Sequence, residues 1–344
     1  MTERPRAKRR PFLRSRYLLM PIAGILAGSI TGMAGLNPTV KPTARSTTTL
    51  LAIEPRLHEA PLLRAARLDT HAGGSLDLNV YELTDRVLER MLVRRARAGV
   101  RVRILLDPGP WHGARIVAAE RRFCARHPRL ACRMASHRFR FDHAKYAVFD
   151  DRYACIGTAN WTWRAFHRNR EYIVCTSQPR SVRAAAELFR DDWRGVPAGK
   201  LPRQALVVSP GSENRLQRLL RGSGPLAIEA EEVGSVKHLD RLIARHGARA
   251  RILLPQRLSP WDRGVAQALV RKGVQIRLIH RPYLHAKLIL TRTCAFIGSQ
   301  NLTRTSLVDN REVGILIRAP GLLARLRRQF AKDWERSKPL PGSR

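Results

Sequence analysis

Apolar positions along the chain fall into short runs separated by amphipathic stretches, and the order of these pieces recurs. Ser75-Leu76-Asp77-Leu78 alternates with a period of two and predicts a strand. Asp85 to Ala98 has helical spacing and ends before Gly99, a position suited to a helix C′ residue. Arg101-Val102-Arg103-Ile104-Leu105-Leu106 then predicts a second strand. The same order returns with Pro225-Leu226-Ala227-Ile228, Lys237 to His246 before Gly247, and Arg249 to Leu254. Tyr146 to Phe149 and Leu288 to Leu290 are short apolar runs of the kind that form buried strands. Strand and helix alternating in this way predict an α/β sandwich in each half, with those two runs at the centre of its sheet.

The recurrence is a duplication. Leu76 matches Leu226 at an offset of 150 and Arg101 matches Arg249 at 148. His143-Ala144-Lys145 matches His285-Ala286-Lys287 at 142. From there the offset settles at 141, pairing Asn160 with Asn301, Asn169 with Asn310, Glu171 with Glu312, Phe189 with Phe330 and Trp193 with Trp334.

A different pattern precedes the repeat. Residues 1–16 carry seven basic side chains and one acid, Glu3, and Tyr17 to Leu36 is free of charge for twenty residues. A basic segment before an apolar one is the grammar of an export signal or signal anchor. Gly32-Met33-Ala34 offers small residues for cleavage, whereas Gly24, Gly28 and Gly32 would give a retained helix a small-residue stripe. Lys8-Arg9-Arg10-Pro11-Phe12-Leu13-Arg14 also resembles a twin-arginine export motif. The expected location is outside the cytoplasm, in the periplasm or anchored in the membrane facing outward. The expected divisions are 1–40 for the signal or anchor, 41–52 for a tether, 53–196 and 205–338 for the two repeats, and 197–204 for a linker.

Composition adds a partner class and removes a fold class. The chain of 344 residues is 44% apolar, enough for ordinary cores, and its formal net charge is +37. Without residues 1–16 the charge is still +31, so the field is not a property of the leader alone. Anionic partners follow: acidic lipid, nucleic acid or phosphate esters. Five cysteines in this length exclude a disulfide-stapled scaffold. Cys155, Cys175 and Cys294 lie in apolar runs and read as buried thiols, while Cys124 and Cys132 could pair if the chain is exported. Trp161, Trp163 and Phe166 either line a site or pack between the halves, and Trp193 and Trp334 read as core.

The chemistry sits in the repeat. The first copy reads His143-x-Lys145, Asp150, Gly157-Thr158-x-Asn160 and Asn169-x-Glu171, and the second His285-x-Lys287, Gly298-Ser299-x-Asn301 and Asn310-x-Glu312. On a strand, residues two apart face one side, so each histidine projects with its lysine. Imidazole, ammonium, hydroxyl and amide groups are what phosphoryl transfer needs, an attacking group and fixed donors for the charged oxygens. Two copies place an imidazole on each side of phosphorus.

These residues resemble the duplicated HxKxxxxD signature of the phospholipase D superfamily, over roughly residues 50–338, and Ser75 to Asp85 is similar to the first strand of its bacterial, cardiolipin synthase-like members. The resemblance implies two pseudo-twofold-related α/β/α sandwich domains sharing one site. It further implies His143 as the nucleophile forming a phosphohistidine and His285 as the acid, then the base. Lys145, Lys287, Asn160 and Asn301 would hold the phosphoryl oxygens, with the Thr158 and Ser299 hydroxyls nearby. Glu171 and Glu312 would orient the imidazoles, and Asp150 completes the signature of the first copy. No metal or other cofactor is implied, and with both half-sites in one chain a monomer suffices.

Arg292 stands where the second copy should carry aspartate. Seven residues beyond His285, it falls off the catalytic face of an unbroken strand, so activity is expected despite it. The function expected is hydrolysis or transphosphatidylation of phospholipid phosphodiesters at an acidic membrane surface. The alternative is a nuclease of the same superfamily, with nucleic acid as partner, and a non-catalytic binding module is disfavoured by two intact His-Lys-Asn-Glu sets.

Overall fold

The computed structural model describes residues 50–341. The expected export segment, its twin-arginine motif and most of the expected tether lie outside those residues. The tether's end does not extend to residue 52, because Leu50–Glu54 is already a strand. No helix among the described residues is long and apolar enough to cross a membrane.

Among the described residues, sixteen strands form two eight-stranded mixed sheets. The first half contributes β1 (Leu50–Glu54), β2 (Ser75–Val80), β3 (Arg101–Leu106), β4 (Leu130–Met134), β5 (Lys145–Phe149), β6 (Tyr153–Gly157) and β7 (Asn169–Thr176). The second contributes β8 (Val207–Ser209), β9 (Leu226–Glu229), β10 (Ala250–Pro255), β11 (Gln275–Ile279), β12 (Tyr283–Leu284), β13 (Leu288–Leu290), β14 (Ala295–Gly298), β15 (Glu312–Ile317) and β16 (Lys338–Pro339). Strand order is β1-β7-β6-β5-β2-β3-β4 in one sheet, with β12 of the second half pairing β7 beside this order, and β8-β15-β14-β13-β9-β10-β11-β16 in the other. The two match strand for strand until β16. In each, the motif strand (β5 or β13) sits mid-sheet, as its apolar sequence demands.

Three cores hold the layers. The outer face of the first sheet packs against helices Ala60–Leu68 and Arg86–Arg97 through Leu62, Leu88 and Leu92. The outer face of the second packs against Glu213–Leu220 and Lys237–Ala244 through Leu216, Leu220 and Leu239. The third core lies between the halves. It takes Tyr146, Ile156 and Val174 from one sheet, Leu288, Ile297 and Val313 from the other, and Phe189 and Phe330 from helices Pro179–Arg194 and Pro320–Glu335. Trp193 and Trp334 are partly buried on this core, each stacked 5.7 Å from the phenylalanine four residues before it.

Two buried ion pairs close the interface reciprocally. Arg170 of the first half donates from Nε to Asp333 Oδ2 of the second at 2.7 Å, and Arg311 of the second donates from Nη2 to Asp192 Oδ1 of the first at 2.8 Å. All four residues obey the 141 offset, so each half supplies one arginine and one aspartate.

The cysteine reading changes in one respect. Cys155 and Cys175 are not separate thiols: they lie directly opposite on β6 and β7 and form a disulfide. Alternation on single strands does not reveal which cysteines meet across a ladder. Cys124 and Cys132 also pair, and Cys294 is a free, buried cysteine. Trp161 and Phe166 are core residues, whereas Trp163 is half exposed and stacks on His167.

Candidate active site

The chain segments that lead into the motif strands exchange partners. β12, just before His285, pairs in parallel with Asn169 and Arg170 of β7, and Asp142, just before His143, forms a parallel bridge to Arg311. The amide of His143 donates to the carbonyl of Arg311 at 2.9 Å. Each histidine is thereby delivered to the strand start that carries the other half's Asn-x-Glu.

The result is a crossed site. His143 Nδ1 lies 2.9 Å from Glu312 Oε2, and His285 Nδ1 lies 2.7 Å from Glu171 Oε1. Both carboxylates are fully buried, and each is braced. Thr158 donates to Glu171 Oε2 at 2.5 Å and Asn169 to its Oε1 at 3.1 Å. Ser306 and Asn310 donate to Glu312 Oε1 at 2.5 and 3.0 Å. Burial alone would raise both carboxyls, but the facing histidine, together with Lys287 and the Thr158 hydroxyl for Glu171 and with Lys145 and the Ser299 hydroxyl for Glu312, holds each group below its ordinary value.

Lys145 and Lys287 fold back onto the carbonyls of His143 and His285, at 2.6 and 2.7 Å. Burial, opposed by Glu312 and reinforced by Lys145, pushes His143 down to about 4. Burial likewise pushes Lys145 down to about 7, with Glu312 opposing and Lys287 of the other half adding. His143 is therefore a neutral imidazole at pH 7, tethered at Nδ1 and open at Nε2.

The halves differ beside the lysines. Tyr81 of the first half, just past β2, places its ring 4.9 Å from Lys145 Nζ and 4.6 Å from the His143 ring. The equivalent position in the second half is Glu231. Its Oε2 is 2.7 Å from Lys287 Nζ and 3.3 Å from His285 Nε2, and its Oε1 accepts from Tyr283 Oη at 3.0 Å. Burial would raise this carboxyl, yet His285 and Lys287 prevail and bring it down to about 2. His285 thus has a carboxylate beside each ring nitrogen, Glu171 at Nδ1 and Glu231 at Nε2. Asn160 and Asn301 donate from Nδ2 to Glu82 and Glu232, both at 3.1 Å.

The structure brings together His143, Lys145, Asn160 and Glu171 with His285, Lys287, Asn301 and Glu312. It does not bring Asp150 there. Asp150 sits in the β5–β6 turn at the far end of the sheet, accepting from the amides of Ser75 and His71 at 2.6 and 2.9 Å. Thr158 and Ser299 are fully buried rather than lining the phosphate position. Thr158 braces Glu171, and Ser299 Oγ accepts from the Val313 amide at 3.0 Å. The glycines before them are required by close approach: a Cβ on Gly157 would meet the Tyr172 carbonyl oxygen at 2.4 Å. Sequence reasoning missed Tyr81, Glu82, Glu231 and Glu232. The identity of Glu82 and Glu232 at the 150 offset was a usable signal; that of Glu231, which breaks the repeat, was not.

Comparison with known proteins accords with this geometry. A family model described as cardiolipin synthase, PLD-like domain, matches residues 68–193 and 228–334. The chain is 30% identical over 138 residues to the mitochondrial cardiolipin hydrolase of Homo sapiens, covering 39% of this chain and 52% of that protein. It is 31% identical over 128 residues to that of Xenopus laevis, covering 36% and 56%. The chain spans about half the length of the curated relatives it matches. Among solved structures, phosphatidylserine synthase of Haemophilus influenzae Rd KW20 shares the fold at a TM-score of 0.60 and 15% identity, covering 85% of this chain and 89% of that one. Polyphosphate kinase of Porphyromonas gingivalis does so at 0.63 and 14%, covering 83% and 50%. With both motif copies inside the matched segments, the chain belongs to the cardiolipin synthase, PLD-like domain family of the phospholipase D superfamily.

Proposed function

We infer that this protein is a phosphodiesterase that hydrolyses or transphosphatidylates phospholipids outside the cytoplasm. The observation that carries the reading is the crossed pair of buried histidines, one neutral and open at Nε2, the other between two carboxylates. His143 Nε2 attacks phosphorus and the bond to the leaving oxygen breaks, with His285 giving that oxygen its proton. The phosphohistidine is then opened by water or an alcohol, whose proton passes to His285. Lys145 and Lys287 neutralise the nonbridging oxygens.

The phospholipid substrate is supported by the relatives named for cardiolipin hydrolysis, and by a net charge suited to an acidic membrane. Export is supported by the basic-then-apolar leader and by two disulfides, which persist in oxidising compartments. A nuclease is the second reading, favoured by arginine-lined grooves such as that of Arg86, Arg90, Arg94, Arg97, Arg122 and Arg126.

The test is incubation of the purified chain, and of His143→Ala, with bacterial phospholipid and separately with single-stranded and plasmid DNA, all in chelator. Phosphatidic acid or a transphosphatidylated product, absent with the variant, is the expected result. DNA degradation without lipid turnover would replace this reading with the second.

A further inference from the structure

The two halves also diverge at the turn after the motif strand. In the first half the turn is three residues long, and Asp150 ties it to the loop before β2 through the Ser75 and His71 amides. The fit is close: a Cβ on Gly74 would meet Asp150 Oδ1 at 2.1 Å. In the second half Thr291 and Cys294, the counterparts of the paired Phe149 and Tyr153, bond to each other around a two-residue turn, Arg292-Thr293, and among the described residues no carboxylate bonds to the loop before β9. Gly224 occupies the register of Gly74, yet a Cβ there would meet nothing within 4 Å.

The space left by the missing aspartate is a cleft of about 750 Å³ between that loop, the turn and helix Glu213–Leu220. Arg215, Arg218, Arg292 and Arg318 line it, with His246 and Thr293, and among the described residues no aspartate or glutamate does. Arg215 is half buried and donates to the carbonyls of Arg203 and Gln204. Burial and the guanidiniums of Arg218, Arg318 and Arg180 press its proton affinity down. Gathering like charges without a counter-charge is unfavourable, and an anion in the cleft relieves the repulsion. Guanidinium forks match phosphate oxygens in shape as well as charge.

We propose that this cleft is a second, non-catalytic anion site that binds a phosphate group, carried by a small soluble anion or by a lipid headgroup. Lys287 and Arg292 lie at opposite ends of β13, five residues and roughly 16 Å apart, so an anion in the cleft does not touch the histidines. The site exists in one half only, because only that half has exchanged its motif aspartate for arginine.

The test is calorimetric titration of the full chain with inorganic pyrophosphate at constant ionic strength, beside sedimentation with phosphatidylglycerol or phosphatidylcholine vesicles. Arg218→Ala/Arg318→Ala and, separately, Arg292→Asp should weaken pyrophosphate binding by about tenfold or more, or release the protein from phosphatidylglycerol alone. The first result identifies a soluble anion and the second a headgroup. Lys145→Met, which alters only the catalytic centre, should leave this binding in place. Wild-type binding of both probes by the arginine variants, or loss of it only in Lys145→Met, would overturn the proposal.

Discussion

Glu312, in the second half, holds His143, in the first, at 2.9 Å across 169 positions of chain. A buried carboxylate on Nδ1 favours the tautomer with Nε2 unprotonated, which the proposed attack on phosphorus requires, much as the triad carboxylate fixes its histidine. Glu312→Gln should therefore lower kcat by roughly three to four orders of magnitude. Glu171→Gln should act on the proton donor instead. With a p-nitrophenyl phosphodiester, whose leaving group needs little protonation, the burst of product should survive in Glu171→Gln and vanish in Glu312→Gln. The reverse order would exchange the roles of the two histidines.

The pH profile should be bell-shaped. On the proposed mechanism His143 attacks only when neutral, so kcat/KM should rise with pH through about 4, and Lys145 binds phosphate only when charged, so it should fall above about 7. Lys145→Arg keeps the charge at all these values. Whatever its maximal rate, its alkaline limb should disappear, and a limb that stays near 7 would assign that titration to another group.

Asp150 should matter to folding and little to turnover. Asp150→Ala leaves the Ser75 amide without its acceptor and loosens the loop before β2, costing about 1–3 kcal/mol in denaturant unfolding. A loss of kcat beyond about tenfold in folded protein would return Asp150 to the chemistry.

The interface pairs are buried too deeply to lose one partner cheaply. Asp192→Ala strands the guanidinium of Arg311, which has no exposed surface, and should cost about 3–5 kcal/mol. Asp333→Ala should do the same through Arg170. Two-state unfolding curves of the single variants and the double variant measure this directly.

Protein recovered from an oxidising compartment should show one titratable thiol in denaturant, that of Cys294, and five after reduction. Reduction should destabilise it by about 2–4 kcal/mol per bridge. Five thiols before reduction would contradict both bridges.

Much of this architecture was legible because a duplication announces itself. The 141 offset from Asn160 to Trp334 gave two equivalent halves, and the spacing of His143-x-Lys145 and Asn169-x-Glu171 gave most of the groups that converge. The crossing was not legible. Nothing local in Glu312 says that it serves His143 rather than His285, since that choice is made by the pairing of Asp142 with Arg311. Glu231 escaped for the opposite reason: it matters because it differs from Tyr81, and repeats draw attention to what is kept. The Cys155–Cys175 bridge needed the β6–β7 register, which alternation on either strand does not contain.

The exchanged carboxylates also bear on how such a duplicated gene can change. Each histidine faces a carboxylate from the other copy, so on the proposed mechanism neither copy is a spare that can drift while the other carries the trait. On the proposed mechanism a lesion at residue 312 silences a histidine encoded near the middle of the gene, and one at residue 171 disarms a histidine encoded more than a hundred codons later. Two chains, one damaged in each copy, could not restore each other by simple mixing. Selection must therefore hold both copies together, as one inherited unit.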